Sequence, residues 1–152
     1  MDMRARVSDA LKTAMKAKEP VRLSTLRLVN AAIKDRDIAL RGEGNDAGVG
    51  DGEVLQILGR MVKQRQESVR AYEEGGRLEL AEQERAEISV IEEFLPKQLD
   101  EAEVKAAIDR ALKSTGAESI RDMGKVMGAL KAAHTGQMDF GRVGPMVKDR
   151  LA

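Results

Sequence analysis

Apolar residues recur along this chain at three-, four- and seven-residue intervals, with polar and charged positions between them. This spacing is typical of amphipathic helices, and the alternation expected of strands is absent. Proline, glycine and capping residues divide the pattern into seven helical segments. They are predicted over residues 3–18, 20–40, 51–74, 77–94, 100–115, 120–134 and 139–151. We therefore predict an all-α fold.

The helical pattern breaks at the stretch Ile91–Leu99. Pro96 has no backbone N–H and disfavours the α conformation of Leu95, so the arriving helix should end here. We predict a hinge between a helical N-terminal domain, residues 1–95, and a small three-helix C-terminal bundle, residues 96–152. A plain helix–helix turn inside one bundle is the alternative.

Local signals predict how several helices begin. Asp100 with Glu103 is an Asp variant of the capping box, and Asp51 can cap the third helix. The pair Gly144–Pro145 predicts that the last helix restarts with Pro145 at its first position. The apolar spacing also predicts that Met15 and Ile120 lie on the buried sides of their helices.

Composition limits which kinds of core, which chemistry and which cellular location the chain can have. Aromatic residues make up 2% of the chain, so the core must be aliphatic. Cysteine is absent, which excludes disulfides, thiolate chemistry and Cys-based zinc sites. The start has no apolar segment typical of a signal sequence, and no apolar run reaches the roughly 18 residues of a membrane span. We therefore expect a soluble cytoplasmic protein with no membrane contact.

Charge is unevenly distributed although the formal net charge is zero. Residues 1–41 hold ten Lys/Arg and five Asp/Glu, residues 42–96 hold six and thirteen, and residues 97–152 hold ten and eight. Both ends can therefore face an anionic partner, whereas the middle repels one.

A basic band is predicted on the second helix. Arg27, Lys34 and Arg41 recur every seven residues, and a helix drifts only about 20° per heptad. The three side chains therefore stay on one side of the helix. This band is either a surface for a polyanion or an ordinary solvated face.

Two glycines inside the sixth helix are unusual. Gly124 and Gly128 lie one turn apart, and each costs roughly 1 kcal/mol relative to alanine. They leave bare backbone on one side of the helix, where either another helix packs or an outside ligand approaches. Arg121, Lys125 and Lys131 lie near enough to reach phosphates beside such a groove.

No catalytic or metal-binding constellation is evident. The single histidine, His134, lies near the end of the sixth helix, where it complements the helix dipole. The glycine-rich loop at residues 42–50 lacks the preceding strand and GK[ST] ending of a phosphate-binding loop. Glu84, Glu87 and the other carboxylates of the fourth helix are interpreted as a solvated face. We predict no catalytic residue, no metal and no cofactor, and do not expect the chain to be an enzyme by itself.

The run Gly116–Gly128, followed by Gly136 and Asp139, resembles the tail domain of one known family. That domain is shared by YqeY-like proteins and the B subunit of glutamine-dependent aminoacyl-tRNA amidotransferases. Four further stretches are also similar to the YqeY pattern: Leu26–Leu28, Ala32–Arg36, Lys63–Ser68 and Glu92–Leu99.

This resemblance implies a two-domain all-α protein whose tail contacts tRNA, as in the amidotransferase B subunit. The large catalytic region of those carbon–nitrogen ligases, which take the amide from glutamine, has no counterpart here. We therefore expect a tRNA-binding or accessory module of the aminoacyl-tRNA amidation or charging machinery. The predicted nucleic-acid-binding residues are Arg121, Gly124, Lys125, Gly128, Lys131, Arg27, Lys34 and Arg41. The alternative is a protein-interaction scaffold without RNA contact.

Overall fold

Helices make up the secondary structure of residues 2–152, the part of the chain that the computed structural model describes. They are α1 (Met3–Ala17), α2 (Pro20–Gly42), α3 (Asp51–Glu74), α4 (Leu78–Glu92), α5 (Glu101–Thr115), α6 (Met123–His134) and α7 (Phe140–Leu151). A single 3-10 turn, Ile120–Asp122, precedes α6, and these residues contain no strand. The prediction of an all-α fold is confirmed. None of the described helices combines the length and the apolar character needed to cross a membrane.

The chain forms two compact units, the first extending to Leu95 and the second comprising Pro96–Ala152. The helix that arrives at this boundary ends at Glu92, as the downstream proline predicts. The next helix begins with the expected capping box: the Asp100 carboxylate accepts from the Glu103 N–H at 2.8 Å, and the Glu103 carboxylate accepts from the Asp100 N–H at 3.2 Å.

The core of the first unit is built from aliphatic side chains of α1 to α4, with Phe94 added just after the end of α4. Leu26, Val29 and Ile33 supply the buried side of α2, as their spacing predicts. Met15, in contrast, is exposed. The prediction that it is buried is wrong because one residue step turns the helix by about 100°, away from the buried Ala14.

The outer halves of α3 and α4 extend beyond this core as a helical hairpin. The buried residues of α3 all lie within Val54–Val62, and those of α4 are Ala81, Val90 and Ile91. We call residues 63–88 the helical arm. The core cluster of the first unit takes none of its buried members from this range, so the two halves of the arm rely mainly on each other.

Ion pairs link the two helices of the arm. Arg65 Nε lies 3.4 Å from Glu87 Oε2, with both side chains 14% exposed, and Arg85 pairs with Glu73. Glu84 is half-buried beside them. The interpretation of Glu84 and Glu87 as solvated is therefore wrong, because α3 covers this side of α4.

The loop between α2 and α3 is anchored at its end. Val49 is buried and donates its N–H to Asp37 Oδ1 at 2.9 Å. Gly50, rather than Asp51, is the N-cap of α3. The Asp51 carboxylate instead accepts from the Met3 N–H at 3.1 Å, so the predicted cap is wrong because its side chain serves α1.

The second unit packs α5, α6 and α7 around their own aliphatic core. Its buried members are Ala107, Ile108, Ala111, Val126, Leu130, Met138, Val143, Val147 and Leu151. Ile120 is exposed, contrary to prediction, because it lies in the 3-10 turn and is out of register with α6.

The last helix is continuous from Phe140 and contains Pro145 in its interior. The predicted restart at this proline is therefore wrong. Pro145 and Gly141, whose carbonyl loses its helical partner, are both exposed, so water can satisfy that carbonyl. Gly144 is buried, and a Cβ added there would lie 3.9 Å from the Met123 methyl carbon.

Candidate nucleic-acid interface

The outer side of α6 presents bare backbone. Gly124 and Gly128 are both exposed, and a Cβ built at either position meets nothing within 4 Å. The two glycines are therefore not explained by close packing of another helix in the same unit. This open space is compatible with the approach of an outside ligand, one of the two interpretations that the sequence leaves open.

Two lysines border the glycines. At 100° per residue, Lys125 and Lys131 lie about 60° to either side of Gly128. Both are exposed, and the Lys125 side chain retains 72% of its accessible surface. We call Gly124, Lys125, Gly128 and Lys131 the α6 face. It combines uncovered backbone with two exposed cations, a combination suited to an anionic ligand.

The turn before α6 is held by its own hydrogen bonds. The Asp122 carboxylate accepts from the N–H groups of Glu118 and Ser119 at 3.0 and 3.4 Å, and these bonds lower the pKa of Asp122. Lys125 Nζ lies 4.0 Å from the same carboxylate. Arg121 is exposed in this turn, directly before the α6 face.

The remaining predicted residues belong to the first unit. Arg27, Lys34 and Arg41 are exposed on α2, which extends far enough to include all three. None of them has a hydrogen bond or an ion pair with another described residue. The eight predicted residues are thus divided between the two units, with three cations on α2 and five residues at or near α6.

Sequence reasoning missed an apolar component beside the α2 cations. Leu28 and Ile38 are 48% and 63% exposed. Their positions fall outside the three- and four-residue series that marks the buried side of α2. A helical projection that included every apolar residue would have shown them.

His134 belongs to a group of hydrogen bonds within the second unit. Its Nδ1 lies 3.0 Å from Gln137 Oε1, and the Gln137 side chain donates to the Lys97 carbonyl at 3.2 Å. The Leu99 N–H donates to the Gln137 carbonyl at 2.9 Å. These contacts join the start of the second unit to its α6–α7 loop. Within residues 2–152, no group of three His, Cys, Asp or Glu side chains is placed to hold a metal ion.

Comparison with known families accounts for almost the whole chain. The model described as "Yqey-like protein" matches residues 4–151. The chain belongs to the YqeY-like family. The resemblance to YqeY-like proteins is therefore confirmed.

Several fungal proteins are similar to this YqeY-like chain, and each is named "Altered inheritance of mitochondria protein 41, mitochondrial". The protein of Lachancea thermotolerans is 28% identical over 114 residues, which cover 74% of this chain and 59% of the relative. That of Saccharomyces cerevisiae is 27% identical over 126 residues, covering 79% and 65%. That of Clavispora lusitaniae is 35% identical over 106 residues, covering 67% and 58%. The YqeY-like chain thus matches less than two thirds of each relative's length.

These names contradict one prediction. The expectation of a cytoplasmic protein rested on the lack of recognisable targeting and membrane segments. The curated relatives are named as mitochondrial proteins, so the cytoplasmic assignment is wrong. Its physical weakness is that composition and apolar runs report membrane insertion and say little about which compartment imports a helical protein.

Proposed function

We propose that this YqeY-like protein binds RNA, with tRNA as the first candidate, through the α6 face and Arg121. The observation that carries the proposal is the open backbone at Gly124 and Gly128 between two exposed lysines. An uncovered helix backbone allows a phosphate chain to approach closely, and lysines on either side can neutralise it.

The composition indicates how such binding would work. With aromatic residues at only 2%, the chain lacks the stacking platforms that hold single-stranded bases. Recognition would therefore depend on the phosphate backbone and on RNA shape. Each cation placed on a phosphate should contribute about 0.7 to 0.9 to the slope of log affinity against log salt concentration.

The proposed biological role is an accessory one, within tRNA-dependent amidation or aminoacyl-tRNA charging. The support is the resemblance of the Gly116–Gly128 run to the tail of the amidotransferase B subunit. No site for acid–base or nucleophilic catalysis is evident among the described residues. In this proposal the partner enzyme therefore supplies catalysis.

A gel-shift titration with tRNA at low salt tests the proposal. The double variant Arg121→Glu/Lys125→Glu should lose binding, because two attractive charges become repulsive. The matched control, Lys113→Glu/Lys148→Glu, makes the same charge change at exposed positions of α5 and α7 and should bind better than the test variant. Circular dichroism checks that both remain helical. Equal affinity of the two variants would overturn the assignment of the α6 face.

A pull-down with and without nuclease separates this function from the scaffold alternative. The RNA-binding proposal expects recovered tRNA and the loss of co-purifying proteins after nuclease treatment. Protein partners that survive nuclease, without enrichment of RNA, would favour the scaffold. Turnover of charged tRNA, ATP and glutamine by the chain alone would contradict an accessory role.

A further inference from the structure

Five of the seven large apolar side chains that remain exposed in residues 2–152 belong to two elements. Val21, Leu28 and Ile38 lie on α2, and Leu78 and Leu80 lie at the end of the helical arm. Met15 and Ile120 are the other two in this part of the chain. Clustered exposed apolar residues mark interaction surfaces more often than scattered ones.

The first cluster is apolar and basic. At 100° per residue, Ile38 lies about 20° from Arg27 and within about 60° of Lys34 and Arg41, whereas Leu28 lies about 100° to the side of Arg27. We call these five residues the α2 face. Its cations have no ion-pair partner among the described residues. The face therefore offers both exposed hydrocarbon and three cations outside any ion pair, of which Arg41 is near enough to Asp37 to help lower its pKa.

The second cluster is apolar and acidic. Leu78 and Leu80 are 64% and 37% exposed in the first turn of α4, directly after the connection from α3. Residues 73–82, which we call the arm tip, carry the four carboxylates Glu73, Glu74, Glu79 and Glu82 and the cation Arg77, and the neighbouring Arg85 pairs with Glu73 and Glu82. The arm tip thus has the opposite charge to the α2 face and the same kind of exposed aliphatic groups.

From this complementarity we infer that the arm tip of one copy docks on the α2 face of a second copy. Both surfaces belong to the first unit, and both remain exposed within it. RNA would use the cations of the α2 face but leave Leu28 and Ile38 uncovered. An anionic membrane would be repelled by the arm tip, whereas the exposed Asp35 on the outer side of α2 lowers the positive charge of the α2 face for either partner.

The contact joins two different surfaces, so one contact leaves a free arm tip on one copy and a free α2 face on the other. Association then continues into a ring or an open chain. A hairpin end buries little area, which places the contact in the weak, transient class of interfaces. Assembly should accordingly depend on protein concentration and weaken with added salt.

Sedimentation velocity of nuclease-treated, full-length protein over a wide concentration range tests the inference. The face variant Leu28→Asp/Ile38→Asp and the tip variant Leu78→Asp/Leu80→Asp should each associate at least about tenfold more weakly than the natural chain. Met15→Asp/Ile120→Asp makes the same chemical change at the other two exposed sites and should associate normally. All of these positions are exposed, and circular dichroism verifies the fold.

Mixing the two disabled variants provides the decisive result. The face variant retains an intact tip and the tip variant retains an intact face, so an equimolar mixture should form dimers that cannot grow further. A mixture that stays monomeric would overturn the face-to-tip contact. The inference would also be overturned if the natural chain stayed monomeric at all concentrations. This includes a chain that sediments as a larger species only with phosphatidylserine vesicles or only with added tRNA.

Discussion

Arg4 and Asp37 form a two-point ion pair between α1 and α2, with Nη1–Oδ1 and Nη2–Oδ2 distances of 2.7 Å. Asp37 is buried and also accepts the Val49 N–H. One carboxylate therefore joins two helices and the loop that leads to α3. Charge-assisted bonds with this geometry are stronger than neutral ones, because a planar guanidinium matches a carboxylate at both oxygens.

Replacing Asp37→Asn should lower the urea midpoint of unfolding at pH 7 and reduce its dependence on acid. The hydrogen bond from Arg4, followed by that from Val49, holds the pKa of Asp37 below its ordinary value of 3.8. Its stabilising contribution is complete above that ordinary value and is lost as the pH falls through the lower folded-state pKa. Midpoints measured from pH 7 to pH 2.5 should converge for the two proteins. A difference between the two urea midpoints that stays constant over this pH range would contradict this role of Asp37.

Gly48→Ala should destabilise the first unit more than Gly44→Ala. Both glycines have positive φ, +86° and +88°, so either alanine carries a cost of about 1–2 kcal/mol. At Gly48 the added Cβ would also lie 3.2 Å from Asp37 Oδ1, whereas at Gly44 it meets nothing within 4 Å. Crowding of the anchored carboxylate should add about 1 kcal/mol or more. Equal thermal midpoints for the two variants would show that the loop rearranges to accommodate the added methyl group without a further cost in stability.

Glu84→Gln should stabilise the protein at pH 7 and have little effect at pH 3. Burial, followed by repulsion from Glu87, raises the pKa of Glu84. Its charge therefore opposes folding once the pH exceeds the unfolded-state pKa, and the penalty is absent when the group is protonated in both states. Glutamine keeps the shape without the charge. Urea midpoints at the two pH values check the sign, and a gain that persists at pH 3 would refute the electrostatic origin.

Gly128→Ala should separate stability from RNA binding. In a helix interior alanine is more favourable than glycine by about 0.8–1 kcal/mol. Its methyl group also has open space at this position. The same methyl would hold a phosphate chain away from the backbone, so affinity for tRNA should fall while the thermal midpoint rises.

The matched control for this substitution is Gly59→Ala on α3, where an added Cβ also meets nothing within 4 Å. It should stabilise the first unit to a similar degree and leave tRNA affinity unchanged. If both variants bind tRNA as the natural chain does, the glycines of the α6 face have no part in recognition.

The helices of this YqeY-like protein were predictable because local chemistry determines where they begin and end. Pro20 starts α2, Asp100 caps α5, and the glycines at 75 and 76 follow α3, each by a mechanism that involves only neighbouring residues. Ile120 was misplaced because a three-residue 3-10 turn shifts the rotational phase of the helix that follows. A pattern read at a constant 100° per residue cannot detect such a shift.

Contacts between distant residues were beyond sequence reasoning. Arg4 and Asp37 are 33 positions apart, and with 26 basic and 26 acidic residues the sequence offers many equivalent pairings. The α6 face shows the same limit. Gly124 and Gly128 have identical spacing whether a helix covers them or solvent does, and only the arrangement of α5 and α7 distinguishes the two cases.

The helical arm has a consequence for how length can vary in relatives of this protein. Since the two helices of the arm rest mainly on each other, seven residues inserted into each helix of the hairpin would keep the facing side chains nearly aligned. Such an insertion would carry the tip about 10 Å farther out without repacking Val54, Leu58 or Ile91. The length of the helical arm can therefore change in evolution without a change in the core of the first unit.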